Sequence, residues 1–427
     1  MFTQVSCLII LVTLSTSSDS SVVRIEKSAG GVQLTRDGQP YFIKGAGGHS
    51  RMDELVKSGG NSVRTWHAED MAQCLDDAQK AGLTVTMGVW LGHERHGFNY
   101  GGAKSIDEQR ARVTDAVKRY RDHPALLMWG IGNEMEGDGR NPAIWQEINH
   151  LAALVKKLDP KHPTMTVIAG GGDKLAHFEK YCPEIDVLGI NSYGDLTGLA
   201  ADLRARKFSR PFALTEFGPT GWWQVAKTSW GEELEPTSAE KEKTYLAAHK
   251  TIVGGFPGQC IGSYAFLWGQ KQEHTHTWFG MFLPTGERTP AIDAMTFAWT
   301  GKWPKNRCPK VTGLRVTTVV SKGTPPTPPE LIFPPGAELR CTVNARDPDG
   351  DDLIYKWELR SASTDKRSGG DREEAPPTHP EALVSQSRSR AVIRCPDEPG
   401  AFRVFVYVID NHQNAGTANV PILVSKD

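Results

Sequence analysis

Between residues 41 and 300 short apolar runs alternate eight times with amphipathic stretches, and this alternation restricts the possible folds more than any other feature of the chain. The apolar runs are YFIKGAG (41–47), NSVRTW (61–66), LTVTMGVWL (83–91), ALLMWGIGNE (125–134), TMTVIAG (164–170), DVLGINSY (186–193), PFALTEFG (211–218) and CIGSYAFLW (260–268). Stretches of helical period lie between them, among them DEQRARVTDAVKRYRDH and PAIWQEINHLAALVKKLD. Such alternation implies parallel strands joined by crossover helices, and eight repeats over about 260 residues is the size of a closed (β/α)8 barrel. An open doubly wound sheet competes, but it would want a glycine-rich phosphate turn after its first strand. GAGGHS has neither GxGxxG nor a GK[ST] ending. The fold class expected is α/β, a (β/α)8 TIM barrel followed by a small all-β domain.

A chain of 427 residues is longer than one hydrophobic core usually serves, so a division is expected. Residues 1–20 read as a signal peptide, because the apolar run Leu8–Leu14 is too short to span a bilayer and small polar residues follow it. That predicts a secreted or periplasmic protein with no transmembrane segment. Residues 21–304 read as the barrel domain, opened by a β-hairpin with turns at Gly30–Gly31 and Asp37–Gly38 that would plug the barrel bottom. Beyond Trp303 helical periodicity stops and alternating runs such as AELRCTVNA and AFRVFVYVID take over. Residues 305–427 therefore read as an immunoglobulin-like β-sandwich, expected to act as a spacer or docking module. Within it Cys341 and Cys395 are the plausible disulfide of an exported chain. Asp347, Asp349 and Asp351 suit either a tight Asp-Gly turn or calcium. A net charge of -1, from 49 Lys+Arg and 50 Asp+Glu, gives no reason to expect nucleic acid or an anionic membrane as partner. The sequence does not indicate an oligomeric state.

In a (β/α)8 barrel the chemistry sits at the C-terminal ends of the strands. Those ends supply Arg64, Trp66 and His67; Trp90 and His93; Asn133 and Glu134; Tyr193; Glu216; and Trp268. Two carboxylates on strands four and seven, facing each other across a pocket, are what cleavage of a glycosidic bond requires. One protonates the leaving oxygen and the other attacks the anomeric carbon or activates water. Loop seven, GPTGWWQVAKTSWGEELEPT, adds Trp222 and Trp223, whose indoles suit the apolar faces of sugars. His93, His96, His274 and His276 lack a third ligand at metal spacing, so neither metal nor cofactor is expected.

The stretches WGIGNEME and ALTEFGP resemble the acid/base and nucleophile motifs of clan A retaining glycoside hydrolases of the family 2 and family 5 type. This resemblance covers roughly residues 30 to 300. It implies Glu134 as acid/base, Glu216 as nucleophile, and Asn133 as the partner of a sugar 2-hydroxyl. It implies Arg64 and Tyr193 as partners of the nucleophile and Trp268 as the platform beneath the sugar. The function it implies is retaining hydrolysis of β-glycosidic bonds in an oligo- or polysaccharide. A β-glucanosyltransferase-type transglycosylase and a non-catalytic carbohydrate-binding barrel are the alternatives.

Overall fold

The computed structural model describes residues 20–319, 330–367 and 369–426; the signal-peptide expectation for residues 1–19 lies outside them. Eight parallel strands close on themselves: β1 (Ile43–Gly47), β2 (Ser62–Arg64), β3 (Thr84–Val89), β4 (Leu126–Asn133), β5 (Thr164–Ala169), β6 (Val187–Asn191), β7 (Phe212–Phe217) and β8 (Cys260–Ala265). Each pairs with its neighbour in sequence, and β8 returns to β1 through Gly262↔Ile43 to Ala265↔Ala46. The strands are almost wholly buried, which is why they read as continuous apolar runs and not as alternating ones. Eight helices cover the outside: α1 (Met52–Lys57), α2 (Ala72–Ala81), α3 (Ala103–Tyr120), α4 (Pro142–Leu158), α5 (Asp173–Tyr181), α6 (Leu196–Ala205), α7 (Ser238–Ala248) and α8 (Pro290–Thr300). Their starts are encoded locally. The Asn141 side chain accepts from the Ala143 amide ahead of α4, with Pro142 in its first turn. Thr237 and Glu240 form a reciprocal capping box on α7.

The N-terminal hairpin, Val23–Ser28 paired with Gly31–Arg36, covers the end of the barrel opposite the strand C-termini. The Val23 amide donates to the Lys161 carbonyl, Val32 to Gly258, and the Arg36 guanidinium to Pro124; all three acceptors precede barrel strands. Among the described residues no helix is long and apolar enough to cross a membrane.

Beyond the barrel lie β9 (Lys310–Thr318), β10 (Glu338–Arg346), β11 (Ile354–Ser361), β12 (Leu383–Ser387), β13 (Arg390–Arg394), β14 (Gly400–Ile409) and β15 (Ala415–Val424). They form two four-stranded sheets, ordered β9-β10-β13-β12 and, with the short strand Ile332–Phe333 at one edge, β15-β14-β11. Leu339, Cys341 and Ile393 from the first sheet share one core with Trp357, Val404 and Ile422 from the second. The expected disulfide does not form: Cys341 and Cys395 are both free and buried. Cys341 stands opposite Ala391, while the Cys395 amide bonds the Ala337 carbonyl. Four residues of strand, roughly 13 Å, thus separate the two positions, and a disulfide needs α-carbons within about 7 Å. Asp347 holds the predicted turn, its Oδ1 accepting from the Asp349 and Asp351 amides. Asp349 accepts from the Arg307 amide. The acidic side chains gathered there are Asp347, Asp351 and Asp410.

The spacer reading is corrected by the contacts between barrel and sandwich. Arg403 on β14 donates to Glu232 Oε2 (3.1 Å), to the Glu233 carbonyl (2.8 Å) and to Asn419 (2.7 Å). Asn419 reaches Glu235, which pairs with Lys241 of α7 at 2.5 Å. Thr417 on β15 donates its amide to Ser238 (2.8 Å), and Ala415 donates to the Arg288 carbonyl (2.7 Å). A spacer would leave such groups in water, whereas here Arg403, Glu232, Glu233, Glu235 and Lys241 are all buried. Removing one member of a buried ion pair strands its partner, at a cost of about 3–5 kcal/mol. Arg403→Ala is expected to lower the unfolding free energy by about that amount. A urea titration checks this, and an unchanged midpoint would show that water reaches the pair.

Candidate active site

Arg64 ends β2 and Glu216 lies one residue before the end of β7. Their side chains meet inside the barrel mouth, with Arg64 Nη1 donating to Glu216 Oε1 at 2.9 Å. Trp66 Nε1 donates to the same oxygen at 2.8 Å, and the Tyr193 hydroxyl donates to Oε2 at 2.6 Å. Three donors on one buried carboxylate fix its orientation. Burial, and then the Glu216 charge, raise the Tyr193 hydroxyl well above its ordinary pKa, so it remains a donor.

Glu134 follows β4, with backbone φ of 52° after Gly132 at 73°. A left-handed glutamate costs on the order of 1–3 kcal/mol and persists only where its surroundings hold it. Here its amide donates to the Val167 carbonyl at 2.9 Å, and Asn191 Nδ2 donates to its Oε1 at 2.8 Å. Asn133 Oδ1 accepts from Arg64 Nη2 (2.6 Å) and from Asn191 Nδ2 (3.3 Å). One polar chain, Glu134–Asn191–Asn133–Arg64–Glu216, therefore joins the two carboxylates. Burial first, and then the negative charge of Glu216, raise the Glu134 carboxyl to about 7. One carboxyl kept protonated beside one held by three donors is the division that general acid catalysis needs.

Both side chains line a cavity of about 1000 Å³ over the C-terminal ends of the strands. Of the residues singled out in sequence, Trp66, Trp90, Asn133, Glu134, Tyr193, Glu216, Trp222 and Trp223 line it. Arg64 stands behind, 2% exposed. Three residues depart from expectation. Trp268 is no platform: β8 ends at Ala265, the chain turns, and the indole is buried against Phe282 and Trp299. Phe266, Leu267 and Phe279 form that side of the cavity instead. His67 is exposed beside Glu69, away from the lining, because the Thr65 hydroxyl ties the His67 carbonyl into an outward turn. His93 is buried behind the indole of Trp90, with ring centroids 4.8 Å apart. Burial, helped by Arg95 and His96, pushes it down to about 4, so it supports Trp90 as a neutral ring. His274 and His276 go to different partners, Glu233 and Tyr407.

Sequence reading passed over Asn191, although it is the last residue of β6, two before Tyr193, and its side chain bridges Asn133 and Glu134. It also passed over Lys271, Glu273 and Asp371, which line the outer cavity. Trp222 is held in place by a hydrogen bond to Glu273 (3.1 Å) and by stacking on His274, centroids 4.0 Å apart.

Residues 52–225 match the model for glycosyl hydrolases family 2, TIM barrel domain. The chain is 24% identical over 244 residues to a β-glucuronidase of Homo sapiens, the match covering 49% of this chain and 36% of that protein. It is 29% identical over 291 residues to a β-galactosidase of Vibrio vulnificus, covering 61% of this chain and 25% of the relative. The chain thus spans about a third or less of the length of these curated relatives. The solved β-D-glucuronidase of Dictyoglomus thermophilum superposes with a TM-score of 0.54 at 19% identity, over 66% of this chain and 54% of that one. At that identity the likeness bears on the fold alone.

Proposed function

We propose that the chain hydrolyses β-glycosidic bonds with retention of configuration, by a two-glutamate double displacement. The observation that carries this reading is the chemical asymmetry of the two carboxyls that share the cavity. Glu134 is raised to about 7, and Glu216 accepts from Arg64, Trp66 and Tyr193. In the first step Glu216 attacks the anomeric carbon while Glu134 gives its proton to the departing oxygen. In the second, Glu134 takes a proton from water, which attacks the same carbon and releases Glu216. The Asn133 Oδ1 is occupied by Arg64 and Asn191, while its Nδ2 has no hydrogen-bond partner among the described residues and lies at the cavity wall, available to a sugar hydroxyl. The exposed face of Trp223 and that of Trp90 suit the apolar faces of pyranose rings. The match to the family 2 barrel supports the same chemistry.

Proton NMR of the first-formed sugar is the test. Two inversions at one carbon give a β product, and an α product released first would mean that Glu216 activates water instead of attacking.

A further inference from the structure

The barrel's own loops leave part of the mouth low. Only four residues separate β1 from α1, and seven separate β2 from α2, whereas the loops after β3, β7 and β8 are long. The arc above β1 and β2 is filled from the sandwich. The chain between β11 and β12 crosses to the cavity and contributes Gly369, Gly370 and Asp371 to its wall. On one side it meets the loop after β3, where Asp371 pairs with His96 (3.1 Å) and Arg95 (3.6 Å). On the other it meets the loop after β8, where Lys271 Nζ donates to the Gly370 carbonyl (2.7 Å) and the His274 amide donates to Glu373 (2.7 Å).

Glycine suits both positions, whose φ angles of +67° and +76° are ones that L side chains rarely adopt. The wall they bring in is chemically suited to a sugar. It sets the Asp371 carboxylate and the Lys271–Glu273 pair, 2.8 Å apart, on one rim with the half-open indole of Trp90. Charged groups take hydroxyls and an indole takes the apolar ring face. The cavity of about 1000 Å³ is at the upper end of ligand sites, with room for more than one sugar ring.

We propose that the sandwich domain is part of the substrate site: Asp371, with Lys271, Glu273 and Trp90, forms a subsite for a second sugar ring, so that the substrate is an oligosaccharide of at least two units. This rests on the glycosidase reading above and deepens it. Asp371 acts by binding and takes no part in the bond cleavage.

The test uses the full chain carrying Asp371→Ala, with Asp371→Asn beside it and thermal melts to confirm folding. Nitrophenyl β-glycosides of galactose, glucose, mannose and glucuronic acid identify the sugar cleaved, and β-linked di- and trisaccharides of that sugar follow. The expected result is a loss in kcat/KM on the oligosaccharides of about tenfold to a hundredfold, carried by KM, the range for a lost hydrogen bond to a charged group. The nitrophenyl monoglycoside should stay within about twofold, since removing a remote contact spares a substrate that never makes it. Equal losses on both substrates, or none on either, would overturn the proposal. If the wild type cleaves neither the nitrophenyl glycosides nor any β-linked oligosaccharide of these sugars, it is the glycosidase reading that fails. The subsite is then read by calorimetry of the trisaccharides against Glu216→Gln and Glu216→Gln/Asp371→Ala proteins. Weaker binding to the double variant supports it, and equal affinity or no binding to either overturns it.

Discussion

Glu216→Gly should abolish turnover of a nitrophenyl β-glycoside, and added azide should restore part of it while giving an α-glycosyl azide. Glu216 receives hydrogen bonds from Arg64, Trp66 and Tyr193, so its replacement removes the attacking oxygen and leaves three donors facing an empty space. The loss in kcat should be on the order of 10^5-fold or more, the scale on which removal of a covalent nucleophile is felt. Azide is small and anionic, and it fits both the vacated volume and the donors. It attacks the anomeric carbon once, so configuration inverts. Stopped assays with and without azide, followed by NMR of the product, check both halves. A β-azide from this variant would mean that some other group still makes the covalent bond.

Much of this site was readable because a parallel barrel concentrates polar residues at strand ends. In ALLMWGIGNE and PFALTEFG the apolar run names the buried strand, and the first charged residue after it marks the mouth. That logic depends on where each strand stops. For β8 it placed Trp268 at the mouth, but the strand ends at Ala265 and three more residues suffice to turn the indole into the core. His67 failed for the same reason, three residues past the end of β2 at Arg64. Asn191 could have been found, since it is the last residue of β6, where a barrel concentrates its chemistry. Asp371 could not: nothing local in SGGDREEAPP points to a barrel mouth, and its position follows from the way the Glu232–Arg403 and Glu235–Asn419 contacts seat the sandwich. The Cys341–Cys395 pairing failed on register, which depends on how β10 and β13 align and not on either segment alone.

The two glutamates should separate most clearly in their dependence on pH. Burial and the Glu216 charge hold the Glu134 carboxyl at about 7, far above an ordinary carboxyl. Because the acid form is the one that protonates the leaving oxygen, activity is present below that value and falls as pH rises through it. For a poor leaving group such as a sugar alcohol, kcat/KM should therefore have a basic limb near pH 7. Glu134→Gln removes the ionising group, so the limb should vanish together with about 10^2–10^4-fold of the rate. A nitrophenyl group departs with little proton help. On that substrate Glu134→Ala should lose far less in the first step, accumulate the glycosyl-enzyme, and show a lowered KM. Azide should then accelerate the second step, needing no base, and give a β-glycosyl azide, the opposite stereochemistry to that expected from Glu216→Gly. A basic limb that survives in Glu134→Gln would assign the proton to another group, and an α-azide from Glu134→Ala would exchange the roles of the two residues.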